Sequence, residues 1–342
     1  DVTDDRQRLA PCCPYLLGSG EDRSRELGVG FGRLGHEGIG NWGLMGTGSW
    51  GCNGGSPWSP CHMSPWSKET LGWVDIQTMP RGADLGTLVL QPVETSGDVV
   101  RIDSQDGSGE YLLVENRQRI GFDENLYEPG LLIWHIDPYT IATSAGGINN
   151  NRDRMGVWLR QADGLNGLGE PNGGRGDGGD PFPGSTNNLA FHAGSTPGSW
   201  AHGGTPMGIT FLDIAQVGQD MSFRALTRFQ TLTLSSETVQ GTPGLVTVDG
   251  FAPPAREWNL ESAPFQHHVI EAAPGEPVSA GRRWGFRGWT DGAPRVRDFT
   301  TQLEDASLTA TYGGMELHLD IRPTSPAQGI APGTVAFEGG DG

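Results

Sequence analysis

Lysine is nearly missing from this chain of 342 residues: Lys68 is the one lysine, and the other basic residues are arginines. Lys and Arg together number 23 against 41 Asp and Glu, a net charge of −18. No Lys/Arg cluster breaks that acidity, which excludes nucleic acid as an expected partner because phosphate neutralisation needs a basic face. Cationic partners, calcium among them, stay open. The preference for arginine reads as codon bias rather than function.

Long apolar runs are missing too: no stretch of 18 apolar residues occurs, so no transmembrane segment is expected. The first residues form neither a signal peptide nor an initiator methionine, which reads as a chain cut from a longer product. Cysteines number only four. Cys52 and Cys61 flank a Gly/Pro/Trp loop at a spacing that allows a small disulfide ring, with free thiols as the equal alternative, and the adjacent Cys12 and Cys13 have no evident partner. There is no Gly-x-Ser-x-Gly elbow and no cysteine in a catalytic context, which removes serine-hydrolase and cysteine-protease chemistry.

Glycine and proline are plentiful. The 55 glycines and 24 prolines make up 79 of 342 residues, about twice the usual share of roughly 12%, and argue against a helical bundle. A hydrophobic content of 35% with 19% charge is too apolar for wholesale disorder. The expectation is a mainly β, multidomain chain with a loop-rich α/β part and a β-sandwich accessory unit.

Residues 1–35 show no sustained period. From 36 to 78 the texture is turn-rich, with one short helix predicted after Ser64 as N-cap, Pro65 as first helical residue and Gly72 as terminator. Trp66 and Trp73 are assigned to its buried side, and the series at Trp42, Trp50, Trp58, Trp66 and Trp73 to the core of a compact lobe rather than a carbohydrate platform. Residues 79–226 hold short runs rich in β-branched, Leu and aromatic residues at 86–90, 98–102, 110–117, 130–136, 155–162, 208–214 and 221–226, interrupted by a polar loop over 163–208. A β-sandwich repeat is expected over 227–313, and the start of a second, truncated copy over 314–342.

Five ordered segments carry a family resemblance. Gly38-Ile39-Gly40-Asn41-Trp42-Gly43-Leu44-Met45-Gly46-Thr47-Gly48-Ser49-Trp50 comes first, then His62-Met63-Ser64-Pro65-Trp66-Ser67-Lys68. Glu110 to Gln118, Gly130 to Asp137 and Arg175 to Gly184 follow. Together they resemble the immune inhibitor A family of secreted bacterial zinc metalloendopeptidases, and 227–313 resembles accessory β-repeats of secreted bacterial enzymes. The resemblance implies cleavage of protein or peptide substrates by a zinc-bound water, with two helical histidines on the metal, a glutamate as general base, and Met45 in a tight turn beneath the site.

The zinc motif itself is missing. No His-Glu-x-x-His occurs, His36-Glu37 lacks the second ligand, and Arg25-Glu26-Leu27-Gly28-Val29 has Arg and Val where both histidines belong, so Glu26 is at most the remnant of a decayed motif. Either residues 1–35 are not genuine family sequence or the metal site has decayed. The chain is therefore expected to be an inactive fragment of such a protease; the alternative is a noncatalytic secreted module whose β-repeats attach to a polymer or surface. Asp163, Asp177 and Asp180 in the Gly-rich loop are candidate calcium ligands, with solvated loop carboxylates as the bland alternative. Arg175-Gly176-Asp177 spells an adhesion tripeptide but belongs to the family segment. His135 inside an apolar run is expected to be a hydrogen-bonded structural histidine, and His62 to begin the short helix and either cap it or pack in the same structural way.

Overall fold

The computed structural model of the chain describes residues 38–52, 55, 58–144, 147–170, 174–279 and 281–317. Residues 1–35, with Glu26, Cys12 and Cys13, lie outside the described residues, as does 318–342. The fold is mainly β, 39% strand and 10% helix.

All seven strands predicted for 79–226 form, and with one further short strand at 77–78 they make two sheets. One has five strands in the order β1-β3-β4-β5-β6, built from β1 (Gln77–Thr78), β3 (Val99–Asp103), β4 (Tyr111–Arg117), β5 (Gly130–Ile136) and β6 (Val157–Leu159). β1 pairs parallel to β3 and the remaining pairs are antiparallel. The other sheet has the order β2-β8-β7, from β2 (Asp84–Leu90), β7 (Thr210–Val217) and β8 (Asp220–Leu226).

Every residue of β4 and β5 is buried, which explains why they read as continuous apolar runs. Alternation along them sends Leu112, Val114, Leu131 and Ile133 to one face, where they meet Phe211, Met221 and Phe223 of the three-stranded sheet. Leu113, Leu132, Trp134 and Ile136 take the opposite face, against Ile39, Trp42, Cys52, Cys61 and Leu168. Each such side chain stabilises the fold by ~1.5–3 kcal/mol through burial, so the central pair of strands anchors both cores.

The short helices are α1 (Pro65–Thr70), α2 (Val93–Ser96) and α3 (Pro138–Thr143). α1 begins and ends as its sequence predicts: Ser64 Oγ accepts from the Ser67 amide at 3.3 Å, and Gly72 follows with φ +68°. His62 stands two residues before that cap and neither starts nor caps the helix. The tryptophan expectation is corrected: Trp42 is buried and Trp66 half-buried, but Trp50, Trp58 and Trp73 are 56%, 92% and 46% exposed. The loop around Trp50 and Trp58 turns its two sulfurs inward instead, and the positive φ of Gly72 swings Trp73 away from the helix's inner side.

The remaining strands are β9 (Gln230–Glu237), β10 (Val246–Val248), β11 (Glu257–Ser262), β12 (His267–Ala272), β13 (Gly275–Ser279), β14 (Arg282–Trp289), β15 (Val296–Thr300) and β16 (Ala306–Leu317). They form sheets in the orders β11-β9-β16-β14-β13 and β10-β12-β15. The described residues divide into two compact units: 38–233 with 259–268 and 299–306, and 234–258 with 269–298 and 307–317. The first unit thus extends past the expected boundary at 226, because Phe265 packs its ring 4.3 Å from that of His192 and Arg228 donates to the Leu303 carbonyl. The second unit has its own interior of Leu234, Val246, Val248, Ile270, Ala272, Leu308, Ala310 and Tyr312. The expected division at 313/314 falls inside β16, whose Met315 and Leu317 still pair with Trp284 and Arg282.

Candidate functional site

The five segments that carry the family resemblance lie far apart in sequence and are joined through buried polar contacts. β4 places Glu115 and Arg117 on the face shared with Trp134, where neither side chain reaches solvent. Arg117 donates from Nη2 to Glu115 Oε1 at 2.7 Å and from Nη1 to Asp123 Oδ2 at 3.0 Å. It also reaches the Met63 and Trp42 carbonyls at 3.3 and 3.5 Å. Lys68 on α1 donates to Glu115 Oε2 at 3.4 Å, Trp134 Nε1 to Glu115 Oε1 at 3.2 Å, and Trp42 Nε1 to Asp180 Oδ2 at 2.7 Å. One cluster thus ties the first segment to the second, third and fifth, and the third to the fourth.

Electrostatics make the cluster self-consistent. Burial pushes the Glu115 carboxyl up, but Arg117 and Lys68 outweigh it and hold the group below its usual range. Burial raises Glu94, 3.9 Å from Arg117 Nε, to about 8 despite that neighbour. Lys68 and Arg117 thus face the carboxylates of Glu115 and Asp123, with Glu94 shifted toward its neutral form by burial. His62 is driven down to about 4 by burial and then by Arg117 and Lys68, so it stays neutral beside them.

The turn expected around Met45 is present. Gly46, Thr47 and Gly48 donate back to the Gly43, Gly40 and Gly43 carbonyls, and the half-buried Met45 packs at the edge of the core that contains Ile39 and Trp42. Cys52 and Cys61 form a disulfide across the tip of this loop region.

Asp163, Asp177 and Asp180 come together, each offering a carboxylate oxygen within 4.8 Å of the others. Gly179 permits this approach: a Cβ there would stand 2.7 Å from Asp163 Oδ2 and 3.0 Å from Asp177 Oδ1. Asp180 is buried, and that burial, reinforced by the charges of Asp177 and Asp163, raises its carboxyl to about 7. Three convergent carboxylates, one of them buried, fit a hard divalent cation, which would relieve their mutual repulsion and pin the loop.

A second polar cluster was not anticipated from the sequence beyond His135. His135 is buried and donates from Nε2 to Glu110 Oε2 at 2.6 Å, as expected for a structural histidine. The same oxygen accepts from the His202 backbone amide at 3.0 Å and lies 3.2 Å from His202 Nδ1. Arg154 Nε donates to Asp137 Oδ2 at 2.6 Å and its Nη2 is 3.6 Å from Glu110 Oε1. Burial would raise Glu110, yet the hydrogen bonds from His135 and His202 hold it well below the usual carboxylate range. Burial lowers His135 to about 4.

Glu110, His135 and His202 are the one grouping of histidines with a carboxylate at metal-ligand separation among the described residues. They do not fit zinc. The imidazoles stack with centroids 4.6 Å apart and planes at 29°, so their in-plane lone pairs run side by side instead of converging. The 2.6 Å from His135 Nε2 to Glu110 is a hydrogen-bond length, shorter than the ~3.3 Å between two ligands of a tetrahedral zinc. Compared with family models and with curated proteins, the chain as a whole matches none.

Proposed function

We propose that residues 38–226 are the part of a secreted zinc metalloendopeptidase that surrounds its zinc helix, and that the chain as given does not hydrolyse peptides. The observation that carries this reading is the convergence of the five family segments on the buried cluster around Glu115 and Arg117. Buried polar contacts shared across the five segments hold them in one folded unit. Zinc, when bound in such a protease, supplies an activated water; among the described residues no helix carries a histidine pair to hold it, and the sequence has no His-Glu-x-x-His. Its own residues supply the apolar turn at Met45 and the frame behind it. Asp163, Asp177 and Asp180 hold calcium, which orders the Gly-rich loop. The Cys52–Cys61 bridge suits an oxidising, extracellular location. Purified protein incubated with zinc and casein is expected to release no peptides; chelator-sensitive, zinc-dependent cleavage would overturn the inactivity.

A further inference from the structure

Beside β6 the first unit has a cavity of about 190 Å³ lined by Trp158, Arg160, Gln161, Gly164, Asn166 and Pro197. Arg160 is only 9% exposed. Its guanidinium carbon lies 4.2 Å from the centre of the Trp158 ring, and Nη2 donates to the Gly198 carbonyl at 2.6 Å. Nε is buried with no hydrogen-bond partner, and among the described residues no carboxylate lies within ion-pair distance of the group, the nearest charge acting on it being that of the more distant Glu110. Burial lowers its pKa to about 10, which leaves it charged at neutral pH.

The neighbouring Gln161 is also buried. Its Oε1 accepts from the Leu168 amide at 3.2 Å, which fixes the side-chain amide and leaves the buried Nε2 without an acceptor. Trp158 spends its N–H on Asn166 Oδ1 at 3.1 Å, so it offers the cavity a flat apolar wall. The unsatisfied polar groups of Arg160 and Gln161 are therefore all donors, one of them a full positive charge. Buried guanidinium is costly unless an anion accompanies it.

We propose that this cavity binds a carboxylate, gripped by Arg160, with Trp158 as an apolar wall. A single cation matches a singly charged, planar group better than a doubly charged phosphate, and the guanidinium fork suits carboxylate geometry. The carboxylate comes from a free small acid or from the C-terminus of a peptide.

Saturation-transfer NMR on the whole chain separates these. Acetate and N-acetylglycine are expected to bind with millimolar affinity, and acetamide and N-acetylglycinamide at least about tenfold more weakly, the loss expected when a charge-assisted hydrogen bond is removed. Arg160→Gln abolishes that discrimination; circular dichroism checks that the variant folds, and the wild-type comparison stands alone if it does not. Tighter binding of N-acetylglycine than acetate assigns the site to peptide termini, and equal binding to free acids. Equal binding of acid and amide, tighter binding of inorganic phosphate, or no saturation by acetate at about 50 mM overturns the proposal.

Discussion

Replacing Arg117 with Met should be among the most damaging single changes in the first unit. The side chain is wholly buried and bridges Glu115 and Asp123 at 2.7 and 3.0 Å, with Lys68 as the other cation in reach of Glu115. Methionine fills much of the volume, so the loss is electrostatic: one remaining cation then faces two buried carboxylates. Breaking a buried pair from one side costs ~3–5 kcal/mol, and the two charge-assisted bonds valued separately at ~1.5–3 kcal/mol each give a similar range. About 4 kcal/mol corresponds to a shift of nearly a thousandfold in the unfolding equilibrium.

Urea denaturation followed by tryptophan fluorescence reads this directly, and its pH dependence distinguishes lost charge from lost packing. In the wild type, the depressed Glu115 contributes stability that is present above its unfolded pKa and lost as pH falls through the folded value. In Arg117→Met that sign reverses, because acid neutralises the stranded carboxylates, so the variant's deficit narrows on acidification. A deficit under ~1 kcal/mol, or one that does not change with pH, would show that stranded carboxylates are not what destabilises the variant.

Calcium is expected to raise the melting temperature and to protect 163–208 from proteolysis, and a chelator that changes neither would remove the calcium assignment. In calcium-free protein, the raised Asp180 means that folding loses stability as pH climbs from the unfolded carboxyl value to about 7; Asp180→Asn should flatten that slope in pH-resolved melting curves. Gly179→Ala forces its Cβ against Asp163 and Asp177 and should weaken calcium binding in a calorimetric titration while leaving the Arg117 cluster intact. Reduction of the Cys52–Cys61 bridge, or Cys52→Ser with Cys61→Ser, is expected to cost ~2–3 kcal/mol in chemical unfolding.

Much of the local structure was legible. β5 spans the seven residues its apolar run predicts, and α1 carries its cap, proline and terminating glycine in the expected places. β11, β13 and β15 carry little strand signal, because Glu257–Ser262 and Val296–Thr300 alternate on largely exposed strands and Gly275–Ser279 contains Gly, Glu and Pro, which disguise an edge strand paired only to β14. The polar clusters were the least readable. Glu115 and Arg117 are conspicuous as charges inside a buried apolar pattern, which is a usable signal. Nothing local to His202 ties it to Glu110, 92 residues away, because that contact exists only through the packing of the loop after 190 onto the end of β4. The indoles at 50, 58 and 73 misled because periodicity does not reveal which side of a glycine-rich loop faces the core.

On the proposed reading, residues 38–226 would frame a zinc protease whose motif the residues before Gly38 do not carry. The nucleotide sequence preceding the Gly38 codon tests this most directly, followed by casein assay of the chain rejoined in any frame that encodes His-Glu-x-x-His. Such a motif upstream, with zinc-dependent, chelator-sensitive cleavage by the rejoined chain, is the expected outcome. A motif absent from every frame, or a rejoined chain that folds, binds zinc and leaves casein intact, would contradict it.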